Sequence, residues 1–399
     1  MWVFFFLVMA SGFSFKEPVF AEEATSLQPL IDRASEGDII ILENKTYNGP
    51  ISIDKPLTLQ GKKGTIIEGD GKTDVIIVEA NDVTIRSVKI NQSGLGKQHA
   101  GIILKKVQRV TIESNTLEQV QNGIFVRGGR QHTIRGNEFS SYNEHFSKRG
   151  NAVHLLATKN NVIENNKMNH VQDGVYLDDA TDTIIQNNRI TDSRYALHFM
   201  FSRDAIVQNN RFTNNMNGIM AMNSEKIQIA DNLFERNLNY RGFGVLIYEM
   251  KNVDIEGNQL LYNHTGLEIQ SSENVTVKNN VIAGNYIGLA SQGLNEQVVF
   301  SENEMAGNII QAKLAGNSIA LDDGFVGNYW DDYRSYDLTG DGIGEVPYEA
   351  SSSTSDLLQS HPHLQFYFES PAMTVWQSVE KMFSNLKDAV NTDRFPIVK

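Results

Sequence analysis

An asparagine that returns about every 22 residues is the feature of this 399-residue sequence that most constrains its fold. The steps between successive members are 22, 29, 22, 22, 22, 26, 22 and 23 residues, and the members are Asn115, Asn137, Asn166, Asn188, Asn210, Asn232, Asn258, Asn280 and Asn303. A fixed period of this length is the signature of a solenoid, in which each repeat stacks on its two neighbours.

Each repeat contains short runs of β-branched residues, such as 182–186 and 274–278, separated by turns rich in Asn and Gly. These runs lack helical periodicity, so every repeat is predicted to form a coil of short strands. A leucine-rich repeat would need regularly spaced leucines and a helical half, and the chain has neither. The sequence therefore predicts an all-β fold, a right-handed parallel β-helix with about 22 residues per coil. Stacked Asn side chains are predicted to hydrogen-bond from coil to coil.

Two helices are predicted outside the repeats. Residues 26–36 form a short N-terminal helix that ends at Gly37 and covers one end of the stack, because a solenoid needs capping units. Apolar residues also recur at helical spacing after Ser370 and Pro371, which predicts a C-terminal amphipathic helix.

The chain divides into four predicted segments. The apolar run near the start and the small residue at Ala21 predict a signal peptide over 1–21, and hence export to the periplasm or the outer face of the cytoplasmic membrane. The β-helix domain is predicted over 22–348, a Ser-rich linker over 349–364, and the C-terminal amphipathic helix and tail over 365–399. No other segment is long and apolar enough to span a bilayer, so the mature chain is predicted to have no direct membrane span.

Composition excludes several classes of function. A net charge of -13 argues against nucleic acid as a partner. The chain has no Cys, which excludes a disulfide scaffold, a zinc finger, an iron–sulfur protein and a cysteine nucleophile. Methionine is consequently the only soft metal ligand available to it.

Strand alternation assigns a core face and an outer face to one strand of each coil. Nine and eleven residues after the repeated Asn, the side chains are almost all apolar and are predicted to point into the core. The positions between and beyond them point outward and place His198, Met200, Met220 and Met222 in a two-by-two patch. Neighbouring coils are about 4.8 Å apart, and His154 lies on the same face two coils away.

Thioether and imidazole groups together favour copper, especially Cu(I). The sequence hypothesis is a copper site built from His198, Met200, Met220, Met222 and His154. The alternative is an apolar docking surface, because Met-rich faces also make adaptable protein contacts. The two hypotheses are compatible if a partner completes the metal site.

A carbohydrate-active enzyme is the competing functional class. Many parallel β-helices act on acidic polysaccharides, and the outer face offers acids, bases and a carboxylate clamp in Asp173, Asp178, Asp179, Tyr176, His154, His198 and Arg194. The methionines have no use in a polysaccharide lyase, hydrolase or epimerase. Residues 178–182 also have the composition of an ordinary turn. The net negative charge of the chain further disfavours a polyanionic substrate.

A calcium loop is a further hypothesis near the end of the repeats. Asp337, Thr339 and Asp341 place oxygen ligands at alternate positions beside glycines. The twelfth position of such a loop is Tyr348 and not a bidentate Glu, so a tight Gly/Asp turn is the alternative.

Several segments make the chain similar to one family of β-helix proteins. The coils match the carbohydrate-binding and sugar-hydrolase type of β-helix repeat, and residues 49–61 resemble the opening of that repeat. The segments that resemble the NosD family are 174–177, 194–200, 327–333, 337–348 and 393–396. The resemblance covers essentially the whole mature chain.

The resemblance implies an exported accessory protein of denitrification and not a hydrolase. NosD proteins are associated with copper delivery during the maturation of nitrous oxide reductase. The implied partners are an ABC transporter with NosY-like permease and NosF-like ATPase subunits, a NosL-like copper chaperone, and nitrous oxide reductase itself. Copper would be bound transiently, as by a metallochaperone, and the C-terminal helix would either dock on the transporter or cap the solenoid.

Overall fold

The computed structural model describes residues 25–142, 145–314, 319–350, 370, 371, 375, 379 and 391–399. Three long parallel sheets, named A, B and C here, wrap around one apolar core in this part of the chain. The predicted parallel β-helix is confirmed. The signal peptide prediction lies outside the described residues.

The three sheets are built from strands of two to six residues. Sheet A contains Thr25–Ser26, Thr46–Asn48, Ile66–Glu68, Lys89–Asn91, Thr116–Glu118, Glu138–Ser140, Lys167–Asn169, Arg189–Thr191, Arg211–Thr213, Leu233–Glu235, Gln259–Leu261, Val281–Ala283, Glu304–Ala306 and Tyr329–Trp330. Sheet B contains Ile39–Leu42, Thr58–Gly61, Thr84–Arg86, Thr111–Glu113, Thr133–Arg135, Lys159–Glu164, Thr181–Gln186, Arg203–Gln208, Glu225–Ala230, Lys251–Glu256, Glu273–Lys278, Glu296–Ser301 and Ile319–Ala320. Sheet C contains Ile51–Ile53, Ile76–Val78, Ala100–Lys105, Asn122–Arg127, Val153–Leu156, Asp173–Asp178, Tyr195–Met200, Asn217–Met222, Phe243–Tyr248, Thr265–Gln270, Ile287–Gln292 and Ile310–Leu314.

One coil consists of a sheet C strand, a sheet B strand and a short sheet A strand. In one complete coil these are Asp173–Asp178, Thr181–Gln186 and Arg189–Thr191, and each pairs with the strand 22 residues later. The corners need left-handed backbone, and Asn187 and Asp192 adopt φ values of 56° and 54° there. Asn and Asp tolerate this conformation better than other residues with a side chain, which favours them at these corners.

The repeated Asn forms a buried ladder between sheets B and A. The Asn188 backbone N–H and side-chain amide both donate to Asn210 Oδ1, at 2.8 and 3.0 Å, and its amide also donates to the carbonyl of Ile163. The same pattern continues coil by coil to Asn303 and then to Asn328. A second ladder between sheets A and C, which the sequence reasoning missed, contains Asn215, Asn237, Asn263, Asn285 and Asn308.

The assignment of the two faces of sheet C agrees with the structure. Leu197, Phe199, Ile219 and Ala221 point into the core and are fully buried. Their neighbours His198, Met200, Met220 and Met222 lie on the outer face and are half-buried.

The N-terminal helix is Gln28–Arg33, shorter than the predicted 26–36. Leu27 and Ile31 are fully buried in the core, and the Gln28 side chain exchanges two hydrogen bonds with the backbone of Ser52 on the first strand of sheet C. These hydrogen bonds pair the backbone N–H and C=O of Ser52 on an edge strand that has no preceding coil, as the capping prediction requires.

The C-terminal residues close the other end of the solenoid. Tyr348–Glu349 and Thr392–Asp393 pair as a short antiparallel sheet. Buried Asp393 accepts hydrogen bonds from the Asn328 backbone N–H at 2.7 Å and from Trp330 Nε1 at 2.9 Å, so its carboxylate ends the first Asn ladder. We call the segment 391–399 the clasp, and it belongs to the end of the solenoid although the tail was predicted as part of 365–399.

The predicted C-terminal helix lies almost entirely outside the described residues. Pro371, Val375 and Val379 are described and helical, and the two valines are exposed by 63% and 45%. Of the helices that the structure describes, none combines the length and the apolar character needed to cross a membrane.

Candidate functional site

The predicted His and Met side chains meet on the outer face of sheet C. The strand register places His198 opposite Met220 and Met200 opposite Met222, on the strands Tyr195–Met200 and Asn217–Met222. All four side chains are half-buried. We call these four residues the soft patch, because they bring three thioethers and one imidazole together on two neighbouring coils.

His198 is held in place by the ion pair between Asp173 and Arg194. Its Nδ1 lies 3.1 Å from Asp173 Oδ2, and Arg194 grips both oxygens of the same carboxylate at 2.8 and 2.7 Å. Asp173 is 1% exposed, whereas the His198 side chain is 15% exposed. The Tyr195 ring also meets the His198 ring edge to face, with centroids 5.1 Å apart. The orientation of the His198 ring is therefore fixed by several contacts.

Four rings stack along the coils on this face. Successive centroid distances are 4.3 Å from Phe125 to His154, 4.7 Å from His154 to Tyr176, and 4.6 Å from Tyr176 to His198. The Tyr176 ring consequently lies between the two imidazoles, which are two coils apart, or about 9.6 Å along the axis. Metal–nitrogen bonds are about 2 Å long, so one copper ion cannot reach both rings. The structure thus separates His154 from the soft patch, with which the sequence hypothesis grouped it.

His154 is half-buried in this stack. Burial lowers its pKa to about 4, so the ring is neutral at neutral pH. Its Nε2 atom is buried and has no hydrogen-bond partner in the described part of the chain. A buried nitrogen without a hydrogen-bond partner carries a free-energy cost.

A small polar cleft opens beside the soft patch. Its volume is about 310 Å³, and its lining residues are Lys97, Gln121, Asn122, Gly150, Asn151, His154, Gln172, Asp173, Tyr176, Arg194 and His198. Burial raises the pKa of Tyr176, and its hydroxyl stays protonated at neutral pH. His198 is the residue that the cleft and the soft patch share.

The remaining candidate acids of the enzyme hypothesis do not line the cleft. Asp178 pairs in register with Met200, and burial together with the neighbouring charge of Asp179 raises its pKa. Asp179 is an exposed corner residue with φ of 52°. Asp173 does line the cleft, but Arg194 and His198 already occupy its carboxylate.

The predicted calcium loop folds as a turn around Asp337. Its two carboxylate oxygens accept backbone N–H bonds from Gly340, Asp341 and Gly342 at 2.6, 3.2 and 2.9 Å, which lowers the pKa of Asp337. Tyr348 donates to Asp332 at 2.8 Å and supplies no ligand to the loop. Within the described ranges, no group of three or more His, Asp or Glu side chains is arranged to hold a metal ion. Calcium at Asp337, Thr339 and Asp341 remains a prediction.

Fold and site together define a class of protein: a rigid parallel β-helix that presents soft donor side chains and a polar cleft on one outer sheet. Within that class, the chain belongs to the NosD family. The family described as periplasmic copper-binding protein (NosD) matches residues 33–145 and 140–335.

Two curated relatives share part of the chain. Both are named "Probable ABC transporter binding protein NosD", and they come from Stutzerimonas stutzeri and Pseudomonas aeruginosa. They are 33% and 29% identical over 73 residues, which is 18% of this chain. The chain spans 17% of the length of the curated relatives that it matches.

Solved structures share the fold at low sequence identity. The A-module of the mannuronan C-5 epimerase AlgE6 from Azotobacter vinelandii has a TM-score of 0.60 at 14% identity, covering 75% of this chain and 95% of its own. PfbA, a surface adhesin of Streptococcus pneumoniae, has a TM-score of 0.55 at 12% identity, covering 77% and 88%. An epimerase and an adhesin share this architecture, so the fold alone does not choose between catalysis and binding.

Proposed function

We propose that this protein is an exported, non-enzymatic accessory protein that carries copper as cargo during maturation of nitrous oxide reductase. The observation that supports the proposal most directly is the register of the soft patch, with His198 beside Met220 and Met200 beside Met222. Membership of a family described as periplasmic and copper-binding supports the same function.

The chemistry of the soft patch suits transfer better than storage. Thioether and imidazole donors prefer Cu(I), and the soft patch contains only these two kinds of donor. Donors in register on adjacent coils are about 4.8 Å apart, and donors two residues apart on one strand are about 6.6 Å apart. A copper ion at this surface binds those donors whose side chains turn towards it. Its remaining coordination positions stay open for a ligand from a partner. A partly completed site of this kind releases copper readily.

The proposed partners follow from the relatives and from the resemblance. Relatives named as ABC transporter binding proteins support docking on the external part of a transporter with NosY-like and NosF-like subunits. A NosL-like chaperone would deliver copper and nitrous oxide reductase would receive it. The segment between Ala350 and Asn391 begins and ends at the closed end of the solenoid, because the Ala350 N–H donates to the Asn391 carbonyl at 3.0 Å. We propose that this segment makes the transporter contact.

An anaerobic Cu(I) titration tests the copper proposal. The mature protein is compared with the double variant His198→Ala/Met220→Leu, which removes two facing donors and keeps the sheet. We expect at least a tenfold loss of affinity, because each lost donor leaves the ion with fewer soft ligands. Met216→Leu is the matched control, since Met216 is half-buried in the same coil but lies outside the soft patch. Equally weak Cu(I) binding by all three proteins would contradict the copper proposal.

The polar cleft supports a second candidate function, action on an acidic glycan. Tyr176 and His154 offer a proton donor and a neutral base there, and Lys97 and Arg194 add positive charge. The test is a panel of acidic glycans with the wild-type protein and Tyr176→Phe. We expect no conversion by either protein. Conversion by the wild type that Tyr176→Phe abolishes would replace the accessory function with an enzymatic one.

A further inference from the structure

We propose that Asp173 is the positioning residue of the soft patch: held by Arg194, it fixes the His198 tautomer so that Nε2 is the copper-donor atom. This inference rests on the proposed function, because it assigns the donor atom of the same site. It adds two residues, Asp173 and Arg194, that touch no metal and act through His198.

The hydrogen bonds around Asp173 decide which His198 nitrogen carries the proton. Arg194 Nε and Nη2 donate to the two carboxylate oxygens at 2.8 and 2.7 Å, and this bidentate grip requires an ionised carboxylate. An ionised carboxylate only accepts hydrogen bonds. His198 Nδ1, which lies 3.1 Å from Asp173 Oδ2, must therefore be the donor. In the neutral ring the lone pair then belongs to Nε2.

The surroundings leave Nε2 free for a ligand. Tyr176 stacks on the His198 ring from the preceding coil, and Met220 is its partner in register on the following coil. Within the described residues, His198 makes one side-chain hydrogen bond, the one from Nδ1. The ring therefore presents an unpaired Nε2 on the coil next to a thioether, which is the donor pair that Cu(I) favours.

Arg194 balances the charge of the buried carboxylate. Asp173 is 1% exposed, and a buried carboxylate without a partner would be strongly unfavourable. Because Arg194 supplies that partner, the carboxylate orients a neutral imidazole and does not require an imidazolium. Carboxylate–histidine pairs orient metal-binding rings in the same way, and their loss commonly weakens metal affinity 10- to 100-fold. Arg194 is anchored in turn by the Tyr195 ring, 4.3 Å from the guanidinium carbon.

Long-range ¹H–¹⁵N correlation spectra of the metal-free protein test the tautomer directly. We expect His198 of the wild type to carry its proton on Nδ1. Asp173→Asn keeps the size of the side chain and loses its charge, and we expect it to mix the tautomers and to weaken Cu(I) binding 10- to 100-fold. Asp179→Asn is the matched control, because it removes an exposed carboxylate at the end of the same strand. We expect it to change neither readout.

A second variant separates positioning from a purely structural role. Arg194→Lys keeps the positive charge and leaves Asp173 bonded to His198, so the Nδ1 proton should persist with a smaller loss of affinity than in Asp173→Asn. The proposal is overturned if wild-type His198 carries its proton on Nε2, or if Asp173→Asn folds and alters neither tautomer nor affinity. If Asp173→Asn fails to fold, the wild-type and Arg194→Lys spectra still decide the tautomer. A protein with the expected tautomer that binds no Cu(I) refutes the copper function and the donor role together, whereas Cu(I) binding with the other tautomer refutes this inference alone.

Discussion

At the scale of single residues, the outer face of sheet C gives similar side chains different roles. His198 and His154 occupy equivalent positions two coils apart, yet His198 is held by Asp173 beside the methionines and His154 is stacked between the rings of Phe125 and Tyr176. The difference comes from their neighbours and not from their position in the repeat. His154 therefore affects stability, whereas His198 is the candidate ligand.

Burial of His154 predicts a pH-dependent stability. Its pKa is about 4 in the folded chain and ordinarily about 6.5, so between these values the unfolded chain binds the extra proton. Stability is therefore lost as the pH falls from about 6.5 to 4, by on the order of 3 kcal/mol from this group. Urea unfolding across this range should show that the free energy of unfolding depends less steeply on pH in His154→Phe, which keeps a ring in the stack. His145→Gln, which changes an exposed imidazole, should keep the wild-type slope.

At the scale of elements, the two Asn ladders explain why the coils stay in register. The first-ladder side chains bond the coil before and the coil after their own, as Asn210 does with the Ile185 carbonyl and with Asn232, so neither an apolar residue nor a longer amide can replace them without leaving buried backbone groups unpaired. The residue before it turns the corner in a left-handed conformation, as Asn209 does at φ of 55°. Adjacent asparagines thus have different physical roles.

This division predicts unequal effects of two neighbouring substitutions. Asn210→Ala should lower the free energy of unfolding by about 2–4 kcal/mol, because several buried hydrogen bonds lose a partner. Asn209→Gly should change it by less than about 1 kcal/mol, because glycine adopts the left-handed corner freely. Denaturant unfolding of both variants measures the difference. Equal destabilisation would show that the ladder contributes no more than the corner.

The clasp predicts a local effect of a single carboxylate. Asp393→Ala removes the acceptor that pairs the backbone N–H of Asn328 and the indole of Trp330. In a solenoid each coil contacts only its neighbours, so the loss should loosen the last coil and leave the soft patch intact. Hydrogen exchange should rise across 328–350 and stay unchanged across 195–222. A uniform rise along the chain would contradict a local closing role.

At the scale of the whole molecule, the solenoid separates the soft patch from the two residues that bracket the proposed partner segment. The soft patch lies on coils in the middle of the stack, whereas Ala350 and Asn391 lie at its closed end. A change at the closed end should therefore leave the soft patch intact. This separation follows from the quasi-one-dimensional architecture.

Excision of most of the segment between Ala350 and Asn391 tests the partner contact. Residues 352–389 are replaced by a short Gly/Ser linker, which can join Ala350 to Asn391 because the two are hydrogen-bonded. We expect pull-down of the transporter permease to be lost while Cu(I) binding is retained. A matched control shortens the same segment but keeps 370–390. Unchanged pull-down by the excised protein, with the clasp present, would contradict the docking proposal.

The sequence by itself determined the repeat, the parallel β-helix and the faces of each strand. A 22-residue period and strict alternation are local properties, and every internal coil stacks between two others, so the pattern could be extrapolated from one coil to the next. The register of the soft patch, His198 beside Met220, followed from the same arithmetic.

Only the tertiary structure decided how those side chains interact. Strand alternation places Tyr176 between His154 and His198, but the stacking of the three rings depends on rotamers. The grip of Arg194 on Asp173 and the closure of the Asn ladder by Asp393 depend on contacts between residues far apart in sequence. Periodicity assigns a residue to a face and a coil. It does not determine which way a side chain turns or which neighbour it binds, because packing and electrostatics around each site differ from coil to coil.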